Sequence, residues 1–333
     1  MTILYPRTPL ERDRFVLERR PPRRDHDPWR FQGLIVEEER TDTGNIARMA
    51  TVLLTGRECP WRCAMCDLWK YTIRSDTPRG AIPAQVSAAR AALPNDPSPI
   101  VGMKLYNAGS FFDPRAVPED DYEEIAAALA GLSRVIVESH PALVGPRVDG
   151  FLTALRRHGS PTLEVAMGLE TAHPEALDRL NKRFTLQQFA EAAQRLHACG
   201  VLLRVFLLIS PPFVPAPEQD VWLERSIDAA FTCGASVVSL VPTRSGNGTL
   251  DALEPHEFGP PRLPDIERSF ALALNHARHR GRVFVDLWDL DRLASCGNCL
   301  GERSSRLHDM NLTQQVLPEH PCDECTPGSR SWL

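Results

Sequence analysis

Apolar residues recur along this chain in short unbroken runs, at 49–55, 100–106, 134–138, 162–169, 201–209 and 235–241. Runs this short and continuous read as strands buried on both faces. Segments with helical spacing separate them. Phe184-Thr185-Leu186-Gln187-Gln188-Phe189 is a helix start, with Thr185 as cap, Gln188 completing a capping box and Phe184 positioned to staple onto Phe189. That helix and the next end at Cys199-Gly200 and Cys233-Gly234, where glycine suits the left-handed C′ position. Cys199 and Cys233 are therefore read as small buried residues at helix ends.

Six strands alternating with helices give a parallel α/β sheet wound by right-handed crossovers. The pattern alone leaves open whether it closes into a barrel. Val283-Phe284-Val285-Asp286-Leu287-Trp288 predicts a seventh strand. Upstream, Gly33–Arg40, the turn Thr41-Asp42-Thr43-Gly44 and a run from Ile46 predict a hairpin leading into the first core strand. The chain thus divides into a Pro- and Arg-rich arm with the hairpin (1–45), an α/β core (46–290) and a Cys-rich tail (291–333).

The 333 residues, 43% hydrophobic and 24% charged, are ordinary for a globular protein with a large core. No apolar run is long enough to span a bilayer, and residues 1–30 are too rich in Arg and Pro for a signal peptide. Nine cysteines without such a signal predict a cytoplasmic protein whose clustered Cys hold metal. A net charge of −5 argues against unaided capture of nucleic acid. The arm carries eight Arg against five acids and reads as an irregular, solvated tail. Its Arg12, Arg14, Arg19, Arg20, Arg23 and Arg24, with Arg303 and Arg306 of the tail, are the basic residues on offer to phosphates. Only Lys70, Lys104 and Lys182 are lysines, and each is placed near the expected reaction centre.

Directly after the first core strand comes Cys59-Pro60-Trp61-Arg62-Cys63-Ala64-Met65-Cys66, a C-x3-C-x2-C run. Three thiolates on one loop suit a [4Fe–4S] cube, with the fourth iron open for another ligand. A structural zinc would want a fourth Cys or His, and none is near. The spacing resembles that of the radical S-adenosylmethionine (SAM) superfamily. In α/β barrels the chemistry sits at the C-terminal strand ends, which is where this loop falls. Tyr106-Asn107-Ala108-Gly109-Ser110 follows the second core strand, and Glu138 and Glu170 follow the third and fourth. Lys182 stands in the turn before the Thr185 helix.

A narrower resemblance runs over about residues 46–290. Lys104–Asp113, Val165–Thr171, Asn181-Lys182, Leu208–Pro212 and Val241-Pro242 with Gly248-Thr249 are similar, in order and spacing, to the radical SAM subunits of archaeosine synthases. Radical tRNA-modifying enzymes, methylthiotransferases included, are the wider relatives. The resemblance implies a partial (β/α)6 barrel and a [4Fe–4S] cluster on Cys59, Cys63 and Cys66. It implies SAM held by Gly109, Ser110, Glu138, Glu170 and Lys182. It also implies an electron donor such as flavodoxin or ferredoxin, and a modified tRNA base or nucleobase adduct as substrate, with carbon–nitrogen cleavage. Without a separate RNA-binding domain, the tRNA would be delivered by a partner subunit.

The tail departs from that pattern. Cys296, Cys299, Cys322 and Cys325 form C-x2-C-x22-C-x2-C, close to a zinc ribbon, and an auxiliary iron–sulfur cluster is the rival. His308 and His320 lie between the knuckles and read as loop residues. Two other functions compete with radical cleavage of the substrate: sulfur insertion from a sacrificial tail cluster, and a non-enzymatic metal-binding accessory subunit.

Overall fold

The structure is a computed structural model that describes residues 4–106, 109–322 and 324. One sheet contains eight strands in sequential order and curls into an open half-barrel. The antiparallel hairpin of β1 (Gly33–Arg40) and β2 (Ile46–Leu53) is its first edge, with Gly33 opposite Leu53 and Arg40 opposite Ile46. Parallel strands β3 (Ile100–Tyr106), β4 (Arg134–Glu138), β5 (Thr162–Glu170), β6 (Leu202–Ile209), β7 (Val237–Pro242) and β8 (Arg282–Val285) follow. The expected seventh strand is β8, though it ends at Val285 and Asp286-Leu287-Trp288 lie beyond it.

Helix α1 (Pro9–Arg19) precedes the sheet. The crossovers carry α2 (Ala81–Ala91), α3 (Tyr122–Ala128), α4 (Pro146–Arg157), α5 (Pro174–Arg179), α6 (Leu186–Ala198), α7 (Gln219–Thr232) and α8 (Leu263–His276). Thr185 and Gln188 make the capping box of α6, and the rings of Phe184 and Phe189 lie 6.0 Å apart. Cys199 and Cys233 are half-buried rather than buried, because each sits at the open end of its helix.

Alternation along the strands sorts the interior from the core. Val135, Val137, Val165, Met167, Val205, Leu207, Val238 and Leu240 point outward and pack beneath the helices with Phe151, Phe189, Ile227 and Phe270. The opposite face lines the barrel, and it is charged. Lys104 Nζ lies 2.7 Å from both Glu37 Oε1 and Glu39 Oε2, while Arg204 joins Glu39 to Glu164. Arg134 closes the network on Glu164 at 3.3 Å.

Helix α9 (Leu300–Thr313) packs against both β1 and β8, filling the gap between the sheet's two edges. At β8 its side-chain amides replace a missing neighbour strand. Asn311 accepts from Val285 N at 2.8 Å and donates to Val285 O at 2.9 Å. Gln314 does the same for Val283, at 2.7 and 2.8 Å.

The arm is not an irregular, solvated tail. Thr8 and Glu11 form a capping box that starts α1, and Tyr5, Phe15 and Phe213 pack in a small apolar cluster with Ala64 of the Cys loop. Arg12 is buried on Asp178, and Arg20 and Arg23 converge on Glu58. Arg303 and Arg306 are likewise buried on Glu267. Ion pairing removes these arginines from the set available to phosphate, whereas Arg14 and Arg24 are exposed. Among the described residues no helix is long and apolar enough to cross a membrane.

Candidate active site

A cavity of about 450 Å³ opens at the C-terminal ends of the strands. Cys59, Cys63 and Cys66 line it together with Ser110, Glu138, Glu170 and Lys182. They come from the Cys loop, the turn after β3, the last residues of β4 and β5, and the turn between α5 and α6, which the parallel winding brings to one rim.

The Cys loop is held by contacts from distant segments. Asn181 Nδ2 donates to Arg62 O at 2.8 Å, and Asn247 Nδ2 donates to Ala64 O at 2.7 Å. Ala64 N donates to Leu180 O at 2.9 Å. Asn181 adopts φ +62°, a left-handed conformation that Asn tolerates better than most residues. Trp61 stacks on His140, ring centroids 3.6 Å apart and 10° from parallel. His140 Nδ1 accepts from Ala142 N, so its Nε2 carries the hydrogen donated to Lys182 O at 2.8 Å. Burial, with the Lys182 charge beside it, lowers His140 to about 3, so the ring is neutral.

Burial, reinforced by charge on a neighbouring sulfur, pushes all three loop thiols up to about 12. A bound cation reverses that penalty, because a coordinated thiol is deprotonated. Three thiols on one loop, all lining the same cavity, are the donor set of a [4Fe–4S] cube with one iron left open, so the donor chemistry fits such a cluster.

Beside the loop, Lys182 Nζ donates to Glu170 Oε1 at 2.6 Å, with both side chains buried. Burial alone would lower Lys182, but Glu170 and Cys63 raise it. Glu170 sits in a β-bulge at φ +69°, which turns its carboxylate into the cavity. Gly168 leaves the space this pair needs, since a Cβ there would lie 2.1 Å from Glu170 Oε1 and 2.7 Å from Lys182 Nζ. Ser110 Oγ accepts from His140 N at 2.9 Å and donates to Ser139 Oγ at 3.2 Å. Gly109 precedes Ser110 in a tight place. A Cβ there would stand 2.2 Å from Arg57 O, so glycine is required where the β3 turn packs under the Cys loop. Asn107 and Ala108 of that turn lie outside the described residues.

Of the other half of the cavity, sequence reasoning placed only Lys104 near the reaction centre and missed the rest. Tyr106, Phe206, Phe284 and Trp288 give it aromatic walls, and Lys104, Arg204, Arg244, Asp286 and His308 give it polar ones. Arg244 donates to Asp286 Oδ2 at 2.8 Å, and burial raises the Asp286 carboxyl despite that partner. The available signal was one charge inside each of several apolar runs: Lys104, Glu164 and Arg204. Lys70, the third lysine, donates to Gly246 O at 2.8 Å at the edge of the Cys loop.

The tail sulfurs of Cys296, Cys299 and Cys322 lie within 4.8 Å of one another, Cys296 and Cys322 at 4.0 Å. Cys325 lies outside the described residues. None of the three described tail cysteines lines the cavity. His308 does, and so is not merely a loop residue. His320 pairs with Glu302.

No family model matches the chain. It is 30% identical over 228 residues to archaeosine synthase subunit beta of Methanosarcina acetivorans, covering 65% of this chain and 64% of that protein. The protein of the same name from Thermococcus kodakarensis is 28% identical over 162 residues, 47% of this chain and 48% of the relative. The chain therefore matches less than two thirds of either relative's length. Among solved structures, an archaeal Elp3 from Methanocaldococcus infernus superposes with a TM-score of 0.51 at 14% identity, over 68% of this chain and 59% of that one. At that identity the likeness speaks for the fold.

Proposed function

We propose that this chain is a radical SAM enzyme whose Cys59, Cys63 and Cys66 hold a [4Fe–4S] cluster beside bound SAM, a reading supported by its similarity to the archaeosine synthase beta subunits. One observation carries the reading: the three loop thiols and the Glu170–Lys182 pair line a single cavity on the strand-end rim. Held there, the cluster and SAM would supply radical chemistry started by one electron from a flavodoxin- or ferredoxin-type donor.

The chain's own residues bind, orient and exclude. Lys182 and Glu170 present one cation and one carboxylate to the amino-acid end of SAM, with Ser110 and Glu138 on the adjoining strand ends. Gly109 seats the β3 turn against the Cys loop. Tyr106, Phe206 and Trp288 keep water from the far half, where Arg244 and Asp286 face the substrate. The substrate we propose is a modified tRNA base or nucleobase adduct, cleaved at a carbon–nitrogen bond. Support comes from the relatives named archaeosine synthase subunit beta, and the word subunit supports a partner that delivers the RNA. The ion pairs of Arg12 with Asp178 and of Arg20 and Arg23 with Glu58 add to that need, because they leave the arm with few cations for phosphates. A cytoplasmic location accords with nine cysteines and an oxygen-sensitive centre.

In this reading the tail holds zinc. Sulfur insertion would need a sulfur source at the cavity, and the described tail cysteines stand away from it.

The test is anaerobic reconstitution. About four irons should bind the wild-type loop, and alanine at Cys59, Cys63 and Cys66 together should remove them and abolish SAM cleavage. Full iron content and retained cleavage in the triple variant would overturn the assignment. Turnover of a free small molecule, with no binding of tRNA in the presence of any partner, would overturn the substrate.

A further inference from the structure

We propose that the tail cysteines form a single-ion zinc clasp whose work is mechanical: it holds α9 in the gap between β8 and β1 and so completes the wall of the active-site cavity. The inference rests on the reading of that cavity as the reaction chamber.

Ion identity follows from sulfur spacing. Zinc–sulfur bonds of about 2.3 Å in a tetrahedron put sulfurs about 3.8 Å apart. Cys296 and Cys322 are 4.0 Å apart, and Cys299 completes a trio within 4.8 Å. Sulfurs bound to different irons of a cube stand farther apart, because the metal–metal separation lies between them. The fourth donor offered by the sequence is Cys325.

Place in the fold gives the role. Cys299 is the residue before α9, and Cys322 follows it after the chain has turned back. One ion therefore ties the two ends of the segment that contains the helix. The turn-back is fixed by Arg306, whose guanidinium donates to Leu317 O at 2.7 Å and Pro318 O at 2.6 Å. Leu307 and Met310 bury into the main core. At the far end the amides of Asn311 and Gln314 bond β8, and Leu312 O accepts from Arg40 of β1 at 3.0 Å. His308 and Asn311 then face the cavity. Nine residues of helix, about 13 Å, separate Cys299 from His308, so the ion shapes the chamber without touching it.

Hydrogen exchange on the full-length, iron-loaded protein tests this. Metal analysis should give one zinc per chain besides the loop iron. Cys296→Ser should lose zinc and raise exchange at Val283 N–H, Val285 N–H and along α9 at least tenfold, with β3–β6 still protected and the loop iron retained. Asn311→Ala should raise exchange at Val285 while keeping zinc, which separates the clasp from its grip on the sheet. A zinc chelator on the wild-type protein, with loop iron measured in parallel, gives the same readout should the serine variant not accumulate. Iron in place of zinc in the tail would overturn the ion. Zinc loss with unchanged exchange at Val283 and Val285 would overturn the clasp. Absence of loop iron in the wild-type protein would instead count against the reaction assigned to the cavity.

Discussion

Arg204 of β6 donates to Glu39 of β1 across the barrel floor, Nη2 to Oε1 at 2.5 Å, with 165 positions of sequence between them. Both side chains are nearly inaccessible, and Lys104 takes the other carboxylate oxygen. Breaking a buried pair leaves an uncompensated charge and costs about 3–5 kcal/mol. Arg204→Met takes one of two cationic partners from both Glu39 and Glu164, leaving them Lys104 and Arg134, and should destabilise the protein by about the lower end of that range. Guanidinium unfolding of the anaerobic holoprotein measures it, and a loss below about 1 kcal/mol would show that water reaches the floor.

The same carboxylate gives a pH dependence. Burial would raise Glu39, but Arg204 and Lys104 more than reverse this and hold it well below its ordinary 4.5. A group depressed in the folded state contributes stability above its unfolded value and loses it as pH falls toward the folded one. The stability difference between wild type and Glu39→Gln should therefore be full near pH 7 and shrink steadily below about pH 4.5. A difference that grows on acidification would contradict the sign.

Gly168→Ala places a methyl where Glu170 Oε1 and Lys182 Nζ now meet. The pair has to shift, and loss of a charged contact of this kind costs about 1.5–3 kcal/mol, or about 10- to 150-fold in affinity. Equilibrium dialysis should show SAM binding weakened within that range with loop iron unchanged. Undiminished affinity would place SAM elsewhere on the rim.

Glu58 precedes the first loop cysteine and is gripped by Arg20 at 2.7 Å, Arg62 at 3.1 Å and Arg23 at 3.3 Å. Arg23 also donates to Trp69 O and Thr72 Oγ1. Deleting residues 1–30 removes two of the three arginines and uncovers the loop. Iron should then be lost in air several-fold faster than from the intact protein, followed by the decay of cluster absorbance. Equal decay rates would mean that the arm does not shield the cluster.

The strands were legible because each is a buried run closed by a turn or a helix cap, and Thr185 with Gln188 announced α6 in four residues. The Cys loop was legible from spacing alone. The arm was not: eight arginines among prolines read as solvated when their acceptors, such as Asp178 and the Trp69 carbonyl, are far off in sequence. The far half of the cavity escaped for a related reason. A lone Arg204 in an apolar run marks an inward position, but its meaning depends on Glu39 and Glu164, which only the curl of the sheet brings near.

Asn311 and Gln314 also bear on how the protein avoids self-association. Without them Val283 and Val285 would present a row of donors and acceptors to any passing strand, the usual template for aggregation. Their helix follows all eight strands in the chain, so every newly made molecule passes through an interval with a naked β8 edge. Solubility during synthesis thus depends on how soon the last helix docks, and a chain shortened before Leu300 would keep that sticky edge permanently.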